Sequence, residues 1–113
     1  MTGECLRYQV IDPNVKPINE ASVLLPLLTI DQPGKGKVSI EAVGICGKNS
    51  PICNTDSKTY YIGIQGNGTF HVKENGKLVD LIMTPGTLIS IPANTSYQDE
   101  SNEGMTMLEV KEG

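Results

Sequence analysis

Long apolar runs are missing from this chain. None approaches the roughly 20 residues that a membrane-spanning helix requires, so a helical transmembrane protein is excluded. Basic charge is also scarce: nine Lys and Arg stand against 13 Asp and Glu, a net charge of −4. Those nine are scattered and form no stripe that could neutralise a phosphate backbone, which argues against nucleic acid as a partner. Cysteine is limited to Cys5, Cys46 and Cys53, an odd number with no CxxC pair. Neither a complete disulfide framework nor a zinc ribbon fits that set. Trp is absent, Phe70 is the single Phe and His71 the single His. The opening residues lack the basic start and apolar stretch of a secretory signal, so the expectation is a cytoplasmic protein with reduced cysteines. The short loop between Cys46 and Cys53 could close into a disulfide only on air oxidation.

What the chain does have is turns. Twelve Gly and seven Pro are spread over 113 residues, without internal repeats or low-complexity tracts, and that length suits one domain spanning 1–113. Four prolines crowd the first third, at 13, 17, 26 and 33. That density breaks helices and confines strands to short or edge positions, so residues 1–36 read as a Pro-rich arm with edge strands. The apolar stretch Ser22–Ile30 reads as two edge strands separated at Pro26. From Lys37 onward the pattern becomes regular. Val- and Ile-rich segments at 37–46 and 59–65 read as strands around a polar loop at 47–58. Residues 69–74 and 77–83 flank Asn75-Gly76, a strong hairpin signal because both central residues of a type I′ turn need positive φ. Strands at 87–91 and 105–111 complete the set. Short strands punctuated by Gly and Pro, with no 3.6-residue period, predict an all-β sandwich or barrel with its core in residues 37–113.

The segment from Thr59 to Tyr97, TYYIGIQGNGTFHVKENGKLVDLIMTPGTLISIPANTSY, resembles the cupin superfamily of small β-barrels. Gly66 fits the glycine that closes that superfamily's first motif. Gly86 and Pro92 have the separation of Gly and Pro in its second. The resemblance covers about the last two thirds of the chain and implies a jelly-roll β-barrel, a double-stranded β-helix. It also implies positions for metal ligands, and these have changed. Thr59 stands where the first motif has a ligand Glu, residues Ile52, Cys53, Asn54 and Thr55 stand where paired histidines would lie, and Tyr97 stands at the final histidine. A transition metal needs several imidazole, carboxylate or thiolate ligands converging on one point, so no metal or other cofactor is expected. Cys46, Cys53 and His71 match no zinc spacing, and His71 reads as an ordinary strand residue outside the cavity.

Strand alternation puts Thr59, Tyr61 and Gly63 on one face and Tyr60, Ile62 and Ile64 on the other. The resemblance turns the Thr59 face inward. Candidate ligand-binding residues are therefore Thr59, Tyr61, Gly63 and Tyr97, with Cys53 and Thr55 beside them, forming a neutral lining of hydroxyl groups at the barrel mouth. Gly63 marks either a bulge or close approach by a ligand or backbone. The tyrosines either fill the barrel or line a hollow that takes a small polar or aromatic molecule. No carboxylate or histidine is placed inside, which disfavours a metal-dependent oxygenase. The resulting expectation is a metal-free, homodimeric module that binds a small molecule or is purely structural. Whether it is an enzyme stays open, the alternative being a metal-independent isomerase, epimerase or lyase on a small polar, sugar-like substrate with Tyr97 as acid or base.

Overall fold

The computed structural model describes residues 16–19, 22–34, 36–53 and 56–112, with side chains described throughout except at 16–19 and 32. Nine strands are found among them, and no helix: β1 (Lys16–Asn19), β2 (Ser22–Gln32), β3 (Gly36–Lys48), β4 (Ile52–Cys53), β5 (Lys58–Gly66), β6 (Gly68–Glu74), β7 (Lys77–Met83), β8 (Leu88–Ile91) and β9 (Ser96–Glu112). All pairings are antiparallel. The main path runs β1-β2-β3-β9-β5-β8, with β6, β7 and β4 attached through β9.

The 17-residue β9 is the seam of the barrel. Its second half, from Met105 onward, lies between β3 and β5, while its first half pairs with β4 and β6. The change of partners falls at Ser101–Gly104, where Gly104 takes a φ of 100° and its amide donates to Ser101 Oγ at 3.0 Å. Ser101 Oγ in turn donates to the Asn67 carbonyl at 2.6 Å, tying the β5–β6 corner to this bend. Gly66 sits in that corner at φ +79°, and a Cβ there would lie 2.2 Å from the Gly104 carbonyl oxygen. The motif glycine is thus required by strand crossing, for steric reasons.

Several expectations are met. Asn75 and Gly76 take φ of 52° and 78°, joining β6 and β7 in a tight hairpin whose register closes at Glu74↔Lys77. Thr59, Tyr61 and Gly63 are buried, whereas Tyr60, Ile62 and Ile64 face outward. The core gathers Val43, Ile45, Tyr61, Phe70, Val72, Met83, Ile89, Ile91, Tyr97, Met105 and Met107 between the faces.

Other expectations are corrected. Ser22–Gln32 is one strand, not two, because a register shift between Pro26 and Leu28 absorbs the proline, whose missing N–H cannot join the ladder. The loop expected at 47–58 is shortened at both ends and carries β4. The last strand begins nine residues earlier than expected, at Ser96 rather than Met105. Of the predicted arm, residues 1–15, 20, 21 and 35 lie outside the described residues, and 16–19 and 22–32 form β1 and β2 of the sheet.

Candidate ligand site in the barrel interior

The inward faces of β3, β5 and β9 meet around a group of buried polar side chains. Tyr61 Oη donates to Glu109 Oε1 at 2.6 Å and lies 2.5 Å from Tyr97 Oη. Since the Tyr61 proton is committed to the carboxylate, the Tyr97 phenol is the donor in the second bond. The rings are held by apolar packing: Tyr61 and Tyr97 meet edge to face at 5.8 Å, and Phe70 lies against both at 4.9 and 6.1 Å. Tyr97 is 2% and Glu109 4% exposed. Burial, then the adjacent Glu109 charge, holds the Tyr61 phenol well above its ordinary range, so it remains a proton donor.

A second buried carboxylate, Asp99, lies two positions beyond Tyr97 on the same face of β9. Its Oδ1 accepts from the Asn49 side-chain amide at 2.6 Å, and the Asn49 backbone N–H donates to the Asp99 carbonyl at 3.1 Å. Burial raises the Asp99 pKa above the usual carboxylate value, and Glu109 adds to the rise, against lowering by the Asn49 bond. Glu41, partly buried on β3, is raised for the same two reasons, desolvation first and Glu109 second.

These groups border a cavity of about 200 Å³ lined by Ser22, Leu24, Val43, Asn49, Ile52, Tyr61, Tyr97, Asp99, Glu109 and Lys111. Two buried oxygens of lining residues, Glu109 Oε2 and Ser22 Oγ, have no hydrogen-bond partner among the described residues. Lys111 Nζ approaches Glu109 Oε2 only to 3.7 Å, an ion-pair distance and not a hydrogen bond. Native proteins seldom leave such oxygens unsatisfied, because desolvation without a partner costs on the order of 1–3 kcal/mol each.

Of the sequence-predicted site residues, Tyr61 and Tyr97 are brought together in this wall. They are deep in the barrel rather than at its mouth. Thr59 is fully buried beside them on β5. Gly63 is explained by backbone approach: a Cβ there would lie 2.1 Å from the Thr84 carbonyl oxygen, and its N–H and C=O bond the Thr87 carbonyl and Gly86 amide across the Thr84–Thr87 turn, both at 2.9 Å. Cys53 is exposed and faces a separate groove with Val72, Lys73 and Pro92, and Thr55 lies outside the described residues. The expectation of an interior without carboxylates is overturned by Glu109 and Asp99. Both were hidden by their surroundings, Asp99 in a polar stretch that reads as loop and Glu109 in an alternating charged strand end. One signal pointed to Glu109: extending the period of two from Met105 and Met107 puts it on the inward face.

His71 lies outside the cavity, half-buried, with Nδ1 2.6 Å from Asp80 Oδ1 and Nε2 3.5 Å from Glu100 Oε1. Cys46 is disulfide-bonded while Cys53 is free, so the two do not pair with each other and the expectation of reduced cysteines fails at Cys46. Among the described residues the cavity is lined by two carboxylates, each with one oxygen already accepting a hydrogen bond, and by no imidazole or thiolate, a poor donor set for a transition metal. No group of three His, Cys, Asp or Glu side chains converges among the described residues.

No protein-family model and no curated protein matches the sequence. Solved structures do resemble the fold. An ectoine synthase from P. lautus superposes with a TM-score of 0.72 at 19% identity, over 91% of this chain and 72% of the other. KdgF from a Halomonas species gives 0.67 at 11% identity, over 87% and 84%. A cupin-2 domain protein from Shewanella frigidimarina gives 0.60 at 12%, over 67% and 71%.

Proposed function

We propose that this chain, which has a cupin fold, uses its barrel interior as a binding site for a small polar molecule and needs no metal to do so. The observation that carries this reading is the pair of buried oxygens, Glu109 Oε2 and Ser22 Oγ, on residues that line the cavity, without a hydrogen-bond partner among the described residues. A barrel filled for structure alone would close on its polar atoms. Here both belong to residues that line a cavity of about 200 Å³. The lining combines apolar walls from Leu24, Val43 and Ile52 with a few polar groups that fix orientation, the usual composition of a ligand pocket. Ligand-binding cupin folds and enzymes both occur in this architecture, so fold alone does not choose between them.

The protein acts as a homodimer in this reading. Leu27, Leu28 and Ile30 are exposed on β2, beyond the residues of that strand that pair with β1, and that stretch offers an apolar edge to a second copy. The disulfide at Cys46 favours an oxidising compartment over the cytoplasm.

A metal-independent isomerase, epimerase or lyase is the second reading, favoured by one observation: Glu109 presents an oxygen without a hydrogen-bond partner to the cavity, with the Tyr61 and Tyr97 phenols chained to its other oxygen. A carboxylate so placed can take a proton from a substrate. The test is Tyr97→Phe, which removes the outer donor of the chain at nearly constant volume. Calorimetry with a hit from a metabolite thermal-shift screen should show binding weakened by about 0.5–1.5 kcal/mol. Turnover lost by about 100-fold with binding retained would establish the enzyme reading instead. A screen in which nothing shifts the melting temperature would contradict both.

A further inference from the structure

We propose that the occupant of the barrel cavity is a small organic cation bearing N–H donors, a primary ammonium or an amidinium; this rests on the reading of the cavity as a ligand site. The buried phenol donors of the wall are spent, and the one ammonium, on Lys111, stands 36% exposed at the rim. The Tyr61 proton goes to Glu109 Oε1, the Tyr97 proton to Tyr61, and one N–H of the Asn49 amide to Asp99 Oδ1. Each of these bonds feeds a carboxylate, directly or through one phenol. What remains without a hydrogen-bond partner among the described residues of this lining is the acceptor Glu109 Oε2, with the Ser22 hydroxyl, which can rotate to accept or donate. A ligand that reaches Glu109 Oε2 must therefore bring a donor.

Charge narrows the class. Two carboxylates and one ammonium line the cavity, Asp99 and Glu109 against Lys111. The Lys111 side chain is 36% exposed and shares its charge with solvent, whereas the Glu109 side chain is 5% exposed. An anion placed here would face both carboxylates at low dielectric. A neutral polyol would supply the donor without offsetting the charge. An ammonium does both, and a charge-assisted bond in a dry site is about twice as strong as a neutral one.

The experiment compares three two-carbon probes, ethanolamine, ethylene glycol and glycolate, titrated by calorimetry into the full chain at near-neutral pH and fixed ionic strength. Ethanolamine should bind about tenfold or more tightly than ethylene glycol, with glycolate weakest, a preference of about 1.4 kcal/mol. Glu109→Gln should erase that preference while leaving ethylene glycol affinity within about twofold. Should Glu109→Gln fail to fold, Lys111→Met serves: removing the competing ammonium at the rim should raise ethanolamine affinity and leave ethylene glycol unchanged. Equal or tighter binding of ethylene glycol or glycolate overturns the cation and leaves the ligand cavity standing. Failure of all three probes to bind overturns the cation and the cavity reading together.

Discussion

Glu109 and Asp99 carry charge into a site where desolvation opposes it, and the cost at Asp99 is measurable. Its folded pKa lies above its unfolded one, so the stability it contributes is complete below the unfolded value and is lost as pH rises through the folded value. At neutral pH the ionised group therefore weighs against folding. Asp99→Asn, which keeps an oxygen to accept from Asn49, should melt at a higher temperature than the parent at neutral pH. The difference should shrink to nothing below about pH 4; a variant that melts lower at neutral pH would show that the charge is structurally required. Gly63 makes a second residue-scale case. A Cβ there meets the Thr84 carbonyl oxygen at 2.1 Å and Met83 sulfur at 2.9 Å, so Gly63→Ala should cost about 1–3 kcal/mol in urea unfolding as the 84–87 turn is pushed outward. A neutral effect would return Gly63 to the ligand lining. The legibility of the site splits along the same line. Tyr61 and Tyr97 could be placed inside from strand alternation and motif spacing, because hydroxyl-bearing aromatics read equally as core or as lining. The carboxylates could not, because a charged side chain in an alternating strand is ordinarily a solvated one.

At the scale of elements, the hairpins were legible and the seam was not. Asn75-Gly76 dictates its own turn through backbone conformation, and the β6–β7 register follows from it. β9 was read only from Met105 because its first half places Tyr97, Asp99 and Ser101 inward and polar residues outward, which leaves no contrast in hydropathy for alternation to show. Its identity as a strand comes from ladders to β6 and β4, pairings between segments distant in sequence. The β6–β7 hairpin is fastened to that half of β9 by His71, which lies between Asp80 of β7 and Glu100 of β9. The bond to Asp80 is the largest cause of a raised imidazole pKa, with Glu100 adding to it and burial opposing. Folded above unfolded means that the protonated clamp contributes fully below the unfolded value near 6.5 and is lost as pH rises through the folded one. His71→Gln should therefore lower the melting temperature most on the acid side of about pH 6.5, and the two melting curves should converge at higher pH. A gap independent of pH would assign His71 a packing role only.

At the scale of the whole molecule, the residues lining the cavity, Asn49 apart, are drawn from β2, β3, β4, β5 and β9, so closing the barrel and assembling the cavity are one event. Unreduced protein treated with a thiol reagent should be labelled at Cys53, and at Cys46 only after reduction, as read by peptide mass mapping. Labelling of both without reductant would restore the reduced state and the cytoplasmic setting. Light scattering should give about twice the chain mass, and Leu28→Lys on the exposed stretch of β2 should shift it toward the monomer. The central claim, that the barrel is hollow and its unsatisfied oxygens await a ligand, is tested most directly by a high-resolution crystallographic map of the interior. The account predicts density for ordered water or a retained small molecule within hydrogen-bond distance of Glu109 Oε2 and Ser22 Oγ, with Tyr61 and Tyr97 bonded as described. A collapsed interior, in which protein groups satisfy both oxygens and side chains fill the space between β3 and β9, would contradict it.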